Sequence, residues 1–298
     1  MLDFDKLPVH RDERGSLFAG MIIAAMVAFV VALVVSLLVI NGLQGLKMGD
    51  KIADRFIKGH KDKIAVIYIE GPMVADKSTE DGPVACSSDI VRNLRKATDD
   101  PGVKAIVLRI NSPGGTPVAA EEIISQVNRT KAKKPVVVSM GDMATSAAYF
   151  VSCSTDRIIA NPDTFTGSIG VIWVFKNKTR YYDDEGINFY IAKSGNFKDV
   201  GSDWRGLSES EKTYVQEIIN ESYERFARSV AKGRNMSLEE VKKIADGRVY
   251  TGSKAKELGL VDGLGGLYDA ISVASELAHV RGKPDILHMK EPKEKPDQ

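Results

Sequence analysis

Apolar positions along this chain fall into three regimes. The first is Phe18 to Ile40, a nearly unbroken run reading FAGMIIAAMVAFVVALVVSLLVI, inside a stretch without a charged residue from Ser16 to Leu46. At ~1.5 Å per residue a helix of this length reaches roughly 34 Å, enough for the ~30 Å hydrocarbon core of a bilayer. It exceeds the roughly 7–15-residue apolar core of a cleaved signal peptide, and it ends in Asn41-Gly42-Leu43-Gln44-Gly45 without an A-x-A-like site. The pattern predicts one uncleaved transmembrane helix at 18–40. Gly20, Ala24, Ala28, Ala32 and Ser36 recur every fourth residue, a small-residue stripe of the kind on which membrane helices associate. Lys6, Arg11 and Arg14 lie in the short tail 1–17, which is the loop to count for orientation, so the tail is expected in the cytoplasm and the large domain outside it.

After a charged juxtamembrane connector at 41–60, a second regime runs over 61–275. Lys63 to Ile69 is a β-branched run closed by Gly71-Pro72, which predicts a strand; 105–110 and 135–140 predict two more. Between them, 88–98 and 118–127 carry helical spacing, with Ile90, Leu94 and Ala97 on one side of the first. Continuous Val and Ile strands alternating with helices of roughly 10–15 residues predict an α/β fold whose mainly parallel sheet has flanking helices. Ser208 to Val230 reads as a long amphipathic helix, opened by a Ser208/Glu211 capping box and striped by Val215, Ile218, Ile219, Phe226 and Val230. The third regime, 276–298, turns polar and proline-punctuated and is expected to be a mobile tail.

Composition narrows the function. Forty-one Lys and Arg against 40 Asp and Glu leave a net charge of +1, so no global basic field exists for nucleic-acid binding. Cys86 and Cys153 are too few for a disulfide scaffold and lack the spacing of a zinc site, so both are expected to be small buried hydrophobes.

Two loops carry the chemistry. Asn111-Ser112-Pro113-Gly114-Gly115 sits between a predicted strand and helix, where adjacent glycines let backbone N–H groups face a cleft and suit an oxyanion. Gly141 to Tyr149 follows the third strand and opens another helix, with Ser146 at the position of either a helix cap or a nucleophile. A serine nucleophile needs a base, yet the four histidines, His10, His60, His279 and His288, all lie outside the α/β core. The remaining common base is a neutral lysine, since desolvation favours the uncharged amine. Lys193 and Lys198 are the candidates, and the chemistry does not choose between them.

The ordered set RINSPGG, GDMATSAAYFVSCSTDRIIANPDTFTGSIGV, KSGNFKD and IADGRVYTGSKAKELGLVDGLGG closely resembles the signal peptide peptidase A family, Ser-Lys membrane peptidases of the ClpP/crotonase-like superfamily. The likeness runs from about Lys63 to about Ala270 and extends to the amino-terminal anchor of the short members. It implies that Ser146 is the nucleophile, that Lys198 is the general base, and that Ser168 hydrogen-bonds that lysine. It implies an oxyanion hole of the Gly114 and Ala147 amides, no metal or organic cofactor, and a homo-oligomer in which the lysine of one protomer can serve its neighbour. The implied enzyme is a serine endopeptidase of the inner (plasma) membrane that degrades signal peptides or other apolar membrane-derived peptides. The alternatives are a related peptidase dedicated to one partner, such as a stomatin-like protein, a crotonase-type acyl-CoA enzyme, and a catalytically dead scaffold. One departure is visible: Thr145-Ser146-Ala147-Ala148-Tyr149 stands where the family commonly reads A-S-G-G-Y, adding two methyl groups beside the nucleophile.

Overall fold

The computed structural model describes Met26, residues 28–33, Ser36, residues 61–76 and residues 84–290. The expected tail 1–17 and connector 41–60, and most of the expected membrane span, lie outside the described residues. Within that span the described positions are helical, and Met26, Phe29, Val30, Val31 and Leu33 are exposed. Among the described residues no helix is long and apolar enough to cross a membrane.

From Lys61 onward the chain is one compact unit. Its strands are β1 (Lys63–Glu70), β2 (Met73–Val74), β3 (Ala85–Cys86), β4 (Val103–Ser112), β5 (Val136–Thr145), β6 (Arg157–Ala160), β7 (Phe165–Gly167), β8 (Val249–Thr251), β9 (Gly263–Leu264) and β10 (Asp285–Met289). Its helices are α1 (Ser87–Asp99), α2 (Pro117–Lys131), α3 (Ala147–Ser152), α4 (Thr179–Asp184), α5 (Glu209–Arg234), α6 (Leu238–Ile244), α7 (Gly252–Glu257) and α8 (Leu267–Leu277). The main sheet runs β10-β1-β4-β5-β6-β9 with every neighbour parallel; β7 adds to β5, and β8 pairs antiparallel with β7.

Parallel strands covered on both faces need apolar side chains on both, and β1 supplies them alternately. Ala65, Ile67 and Ile69 enter the larger core with α1, α2, α3 and α5, while Ile64 and Val66 pack with Ala270, Ile271 and Ala274 of α8. Both cysteines are free and buried, and burial pushes the Cys153 thiol up to about 12. The α5 capping box forms as expected: Ser208 Oγ accepts Glu211 N, and the Glu211 carboxylate accepts Ser208 N at 2.8 Å.

One expectation is corrected. The stretch 276–298, read as a polar tail, instead carries β10, which pairs with β1 from Lys63↔Asp285 to Ile67↔Met289. Asp285, Leu287 and His288 are exposed, while Ile286 packs toward the α8 side and Met289 toward the larger core, as suits a strand at the sheet edge. Polarity alone cannot distinguish such an edge strand from a tail.

Candidate active site

The candidate nucleophile, Ser146, is placed where β5 changes partners. Val137, Val138 and Ser139 pair with β6, but Met143, Ala144 and Thr145 pair with β7, while Ala144 keeps Ser112 of β4 on its other side. Asn111, at the end of β4, accepts Met143 N with Oδ1 at 3.1 Å and holds this second half in place. The chain then turns sharply: Ser146 has φ 53° and ψ −124°, a left-side backbone that a non-glycine residue adopts only when its surroundings impose it. The imposing contacts are the Ser146 N–H donated to Gly167 O at 2.9 Å and the Thr145 hydroxyl donated to Pro113 O at 3.0 Å. Ser146 stands at the cap position of α3, yet its side chain makes no cap hydrogen bond. Of the two roles open to this serine, the cap is the one its side chain does not fill.

Ser168 arrives by register. Thr145 pairs with Gly167, so the next residue on each strand, Ser146 and Ser168, emerges at the same place, and Ser168 also has positive φ, 49°. Both serines, with Ala147, line a cavity of about 610 Å³. Its apolar wall includes Phe150, Ile219, Tyr223 and Phe226, three of them from α5. Asp246 and Gly247 close one rim, and Arg248 holds the Asp246 carboxyl below the usual range.

The glycine turn abuts Ser146: a Cβ on Gly114, where φ is +104°, would lie 2.9 Å from Ala147 N, Ser146 Cβ and Thr145 O. The Gly114 amide, however, donates to the buried Ser112 hydroxyl at 3.1 Å, and it is Gly115 that lines the cavity. Gly115 is fixed by close backbone approach, since a Cβ there would stand 2.0 Å from Met73 O. The only sequence signal for Gly115 over Gly114 is its place as the second glycine of the turn.

The two lysines lie elsewhere. Residues 171–206 are largely exposed, and neither Lys193 nor Lys198 lines the cavity. Lys193 Nζ is 2.5 Å from Asp199 Oδ1, whereas Lys198 Nζ makes no ion pair or hydrogen bond among the described residues. Arg205 first, then Lys193, holds the Asp199 carboxyl well below the usual carboxylate range. Among the described residues no group of three or more His, Cys, Asp or Glu side chains is arranged to hold a metal. The apolar walls of the cavity were legible only as a helical stripe; Ile219 and Phe226 belong to the stripe, but the sequence does not say that it faces a site rather than plain core.

A parallel α/β scaffold that presents a strained, uncapped serine to an apolar cleft beside a glycine turn defines a serine hydrolase. Comparison with known proteins narrows the class: residues 128–281 match the family model described as peptidase family S49. A protein of Methanocaldococcus jannaschii is 36% identical over 230 residues, 76% of this chain and 74% of its own. Protease 4 of Haemophilus influenzae is 38% identical over 221 residues, 74% of this chain and 35% of its own. The chloroplastic serine protease SPPA of Arabidopsis thaliana is 29% identical over 227 residues, 75% of this chain and 34% of its own. The chain thus spans about a third of the length of the last two relatives. It belongs to peptidase family S49 and is a serine peptidase by class.

Proposed function

We propose that this chain is a membrane-anchored endopeptidase with a Ser146/Lys198 dyad, acting on signal peptides or other apolar membrane-derived peptides. The observation that carries the reading is Ser146 itself: a strained serine whose hydroxyl is not used as a cap and which opens onto an apolar cavity. In this mechanism neutral Lys198 takes the Ser146 proton as Oγ bonds to the peptide carbonyl carbon. The tetrahedral oxyanion is stabilised by the Ala147 amide and by the glycine turn, where Gly115, rather than Gly114 with its amide bound to Ser112, is the better-placed donor. Collapse breaks the C–N bond; the departing amine takes the proton from Lys198, and a water deprotonated by the same lysine cleaves the acyl-enzyme. Ser168 orients the incoming amine from its place beside Ser146.

Among the described residues no lysine lines the cavity, which supports a base supplied by a second copy of the chain in a homo-oligomer. Residues 18–40 anchor it in the inner membrane with residues 1–17 cytoplasmic and the peptidase domain on the other side, near its apolar substrates. The cavity walls of Phe150, Ile219, Tyr223 and Phe226 suit aliphatic or aromatic side chains. No step is routed through a metal, and neither a CoA enzyme nor a single dedicated partner is favoured by any feature of the site.

The test is labelling of the full-length chain with a serine-reactive phosphonate, read by mass spectrometry, alongside peptide hydrolysis. The label should fall on Ser146, and Ser146→Ala and Lys198→Ala should each lower hydrolysis ~10³-fold or more and act non-additively. Lys193→Ala should be mild. Full activity in Lys198→Ala together with loss in Lys193→Ala, or EDTA inhibition reversed by zinc, would overturn the reading.

A further inference from the structure

Beside Lys198, Asp199 is tied to the start of α5 by one guanidinium. Asp199 follows Lys198 directly, and its side chain is only 10% exposed. Its Oδ2 accepts Arg205 Nε at 3.0 Å and its Oδ1 accepts Arg205 Nη2 at 2.8 Å. The same guanidinium donates through Nη1 to Glu211 Oε2 at 2.8 Å and through Nη2 to Glu211 Oε1 at 2.6 Å. Glu211 is 3% exposed and also closes the capping box of α5. Two forked carboxylates on one planar guanidinium is a geometry that arginine supplies and lysine cannot.

The clamp joins two things the reaction needs. At one end is the residue next to Lys198; at the other is the first turn of α5, the helix whose Ile219, Tyr223 and Phe226 wall the cavity. Charge is balanced inside it: the Asp199 and Glu211 carboxylates face the Arg205 and Lys193 cations. The other ionisable groups lining the small hollow beside it are Tyr182 and Asp183. Next to them, Asp203 accepts the Tyr182 hydroxyl at 3.0 Å and pairs with Lys178 at 2.9 Å. Asp199 is therefore already engaged and leaves the neighbouring Lys198 amine unpaired.

We infer that Arg205 is a positioning residue for the general base: by clamping Asp199 to Glu211 it sets the place of the Lys198 segment against α5 and keeps the Asp199 carboxylate from pairing with Lys198. The inference rests on Lys198 being the base. It assigns Lys193 a role as well, that of a second counter-ion to Asp199. Without Arg205 the freed Asp199 carboxylate stands one residue from the catalytic amine, where an opposite charge favours the ammonium form.

The experiment uses the full-length, assembled enzyme, a quenched fluorogenic peptide of Leu and Ala residues, and rate profiles against pH for Arg205→Ala, Arg205→Lys and Arg205→Ala/Asp199→Asn. Both single variants should lower kcat by ~10–100-fold with KM within about twofold, because misplacing a catalytic group by about 1 Å costs on the order of 10² in rate. The rising limb of the profile should move to higher pH in Arg205→Ala and return toward the parent position in the double variant, which removes the freed carboxylate. Arg205→Lys keeps the charge and the fold but not the fork, so a folded, fully active Arg205→Lys enzyme would overturn the inference. So would an Arg205→Ala profile that falls in height without moving, the result expected of a merely structural ion pair. Activity surviving in Lys198→Ala would instead sink the dyad itself, whereas an inactive Lys198→Ala beside unshifted Arg205 variants defeats the clamp alone.

Discussion

The proposed nucleophile and the proposed base live in opposite environments. Ser146 ends a strand whose residues Val136, Val137, Val138, Met140 and Ala144 are all buried, and it is followed by the buried Ala147, Ala148 and Tyr149. Its strained backbone persists because packed neighbours on both sides dictate it. Lys198 belongs to residues 171–206, where Ile172, Trp173, Val174 and Tyr190 are exposed, Tyr190 at 94%. That segment holds itself by local aromatic pairs, such as Phe189 on Trp204 at 5.4 Å, and by the Arg205 clamp. One half of the chemistry is preorganised by the core. The other half is carried on an exposed arm braced by its own aromatic pairs and by the clamp to α5, which is the arrangement expected if a second copy completes the site.

The most demanding trial of this contrast is complementation. Ser146→Ala and Lys198→Ala chains are each expected to be inactive; mixed and allowed to exchange subunits, they should recover a substantial fraction of parental hydrolysis, a rise on the order of 10³-fold over either alone. Recovery fails if the lysine acts within its own chain, and then the separation of arm from cavity needs another cause.

Stability measurements sharpen the same comparison. Leu94→Ala, in the core beneath β1 and β4, should cost about 2–5 kcal/mol. Gly115→Ala drives a Cβ into the Met73 backbone and should cost about 3 kcal/mol or more. Tyr190→Ala, on the arm, should stay within about 0.5 kcal/mol by urea unfolding while lowering activity at dilute concentration. Equal stability losses at Leu94 and Tyr190 would erase the distinction between the two regions.

The smallest effect is in acid. The Asp199 and Glu211 carboxyls are held low, Glu211 at about 2, both chiefly by Arg205. A carboxyl lowered in the folded state contributes stability above its unfolded value, roughly 4, and loses it as the pH falls through the lowered one. Amide protection in 171–206, relative to the intrinsic exchange rate at each pH, should therefore hold steady down to about pH 4 and fall below it, before β1, β4 and β5 open. Simultaneous opening of arm and sheet would show that the clamp does not act locally.

The contrast also explains what could be seen in advance. Strands β1, β4 and β5 and helices α1, α2 and α5 were legible because period-2 and period-3.6 patterns, and the Ser208/Glu211 capping box, are short-range signals. Ser146 and Ser168 could be named from a resemblance, but their meeting could not, since it depends on the register of β5 with the three-residue β7. The short β7, β8 and β9 carry too few residues to show a period, and β10 hides its pairing behind a polar outer face.

Taken by itself, the amino-acid order determined which segments seek a sheet, which a helix, and which loops hold the candidate serine and lysines. Tertiary structure alone decided that Gly115 rather than Gly114 faces the cavity, that Lys193 is spent on Asp199, and that Lys198 stands away from its own chain's serine. The physical reason is range. Propensity, capping and amphipathic spacing act within a few residues, whereas which amide is left free and which amine is left unpaired is settled by partners far off in sequence or across a fold in the chain.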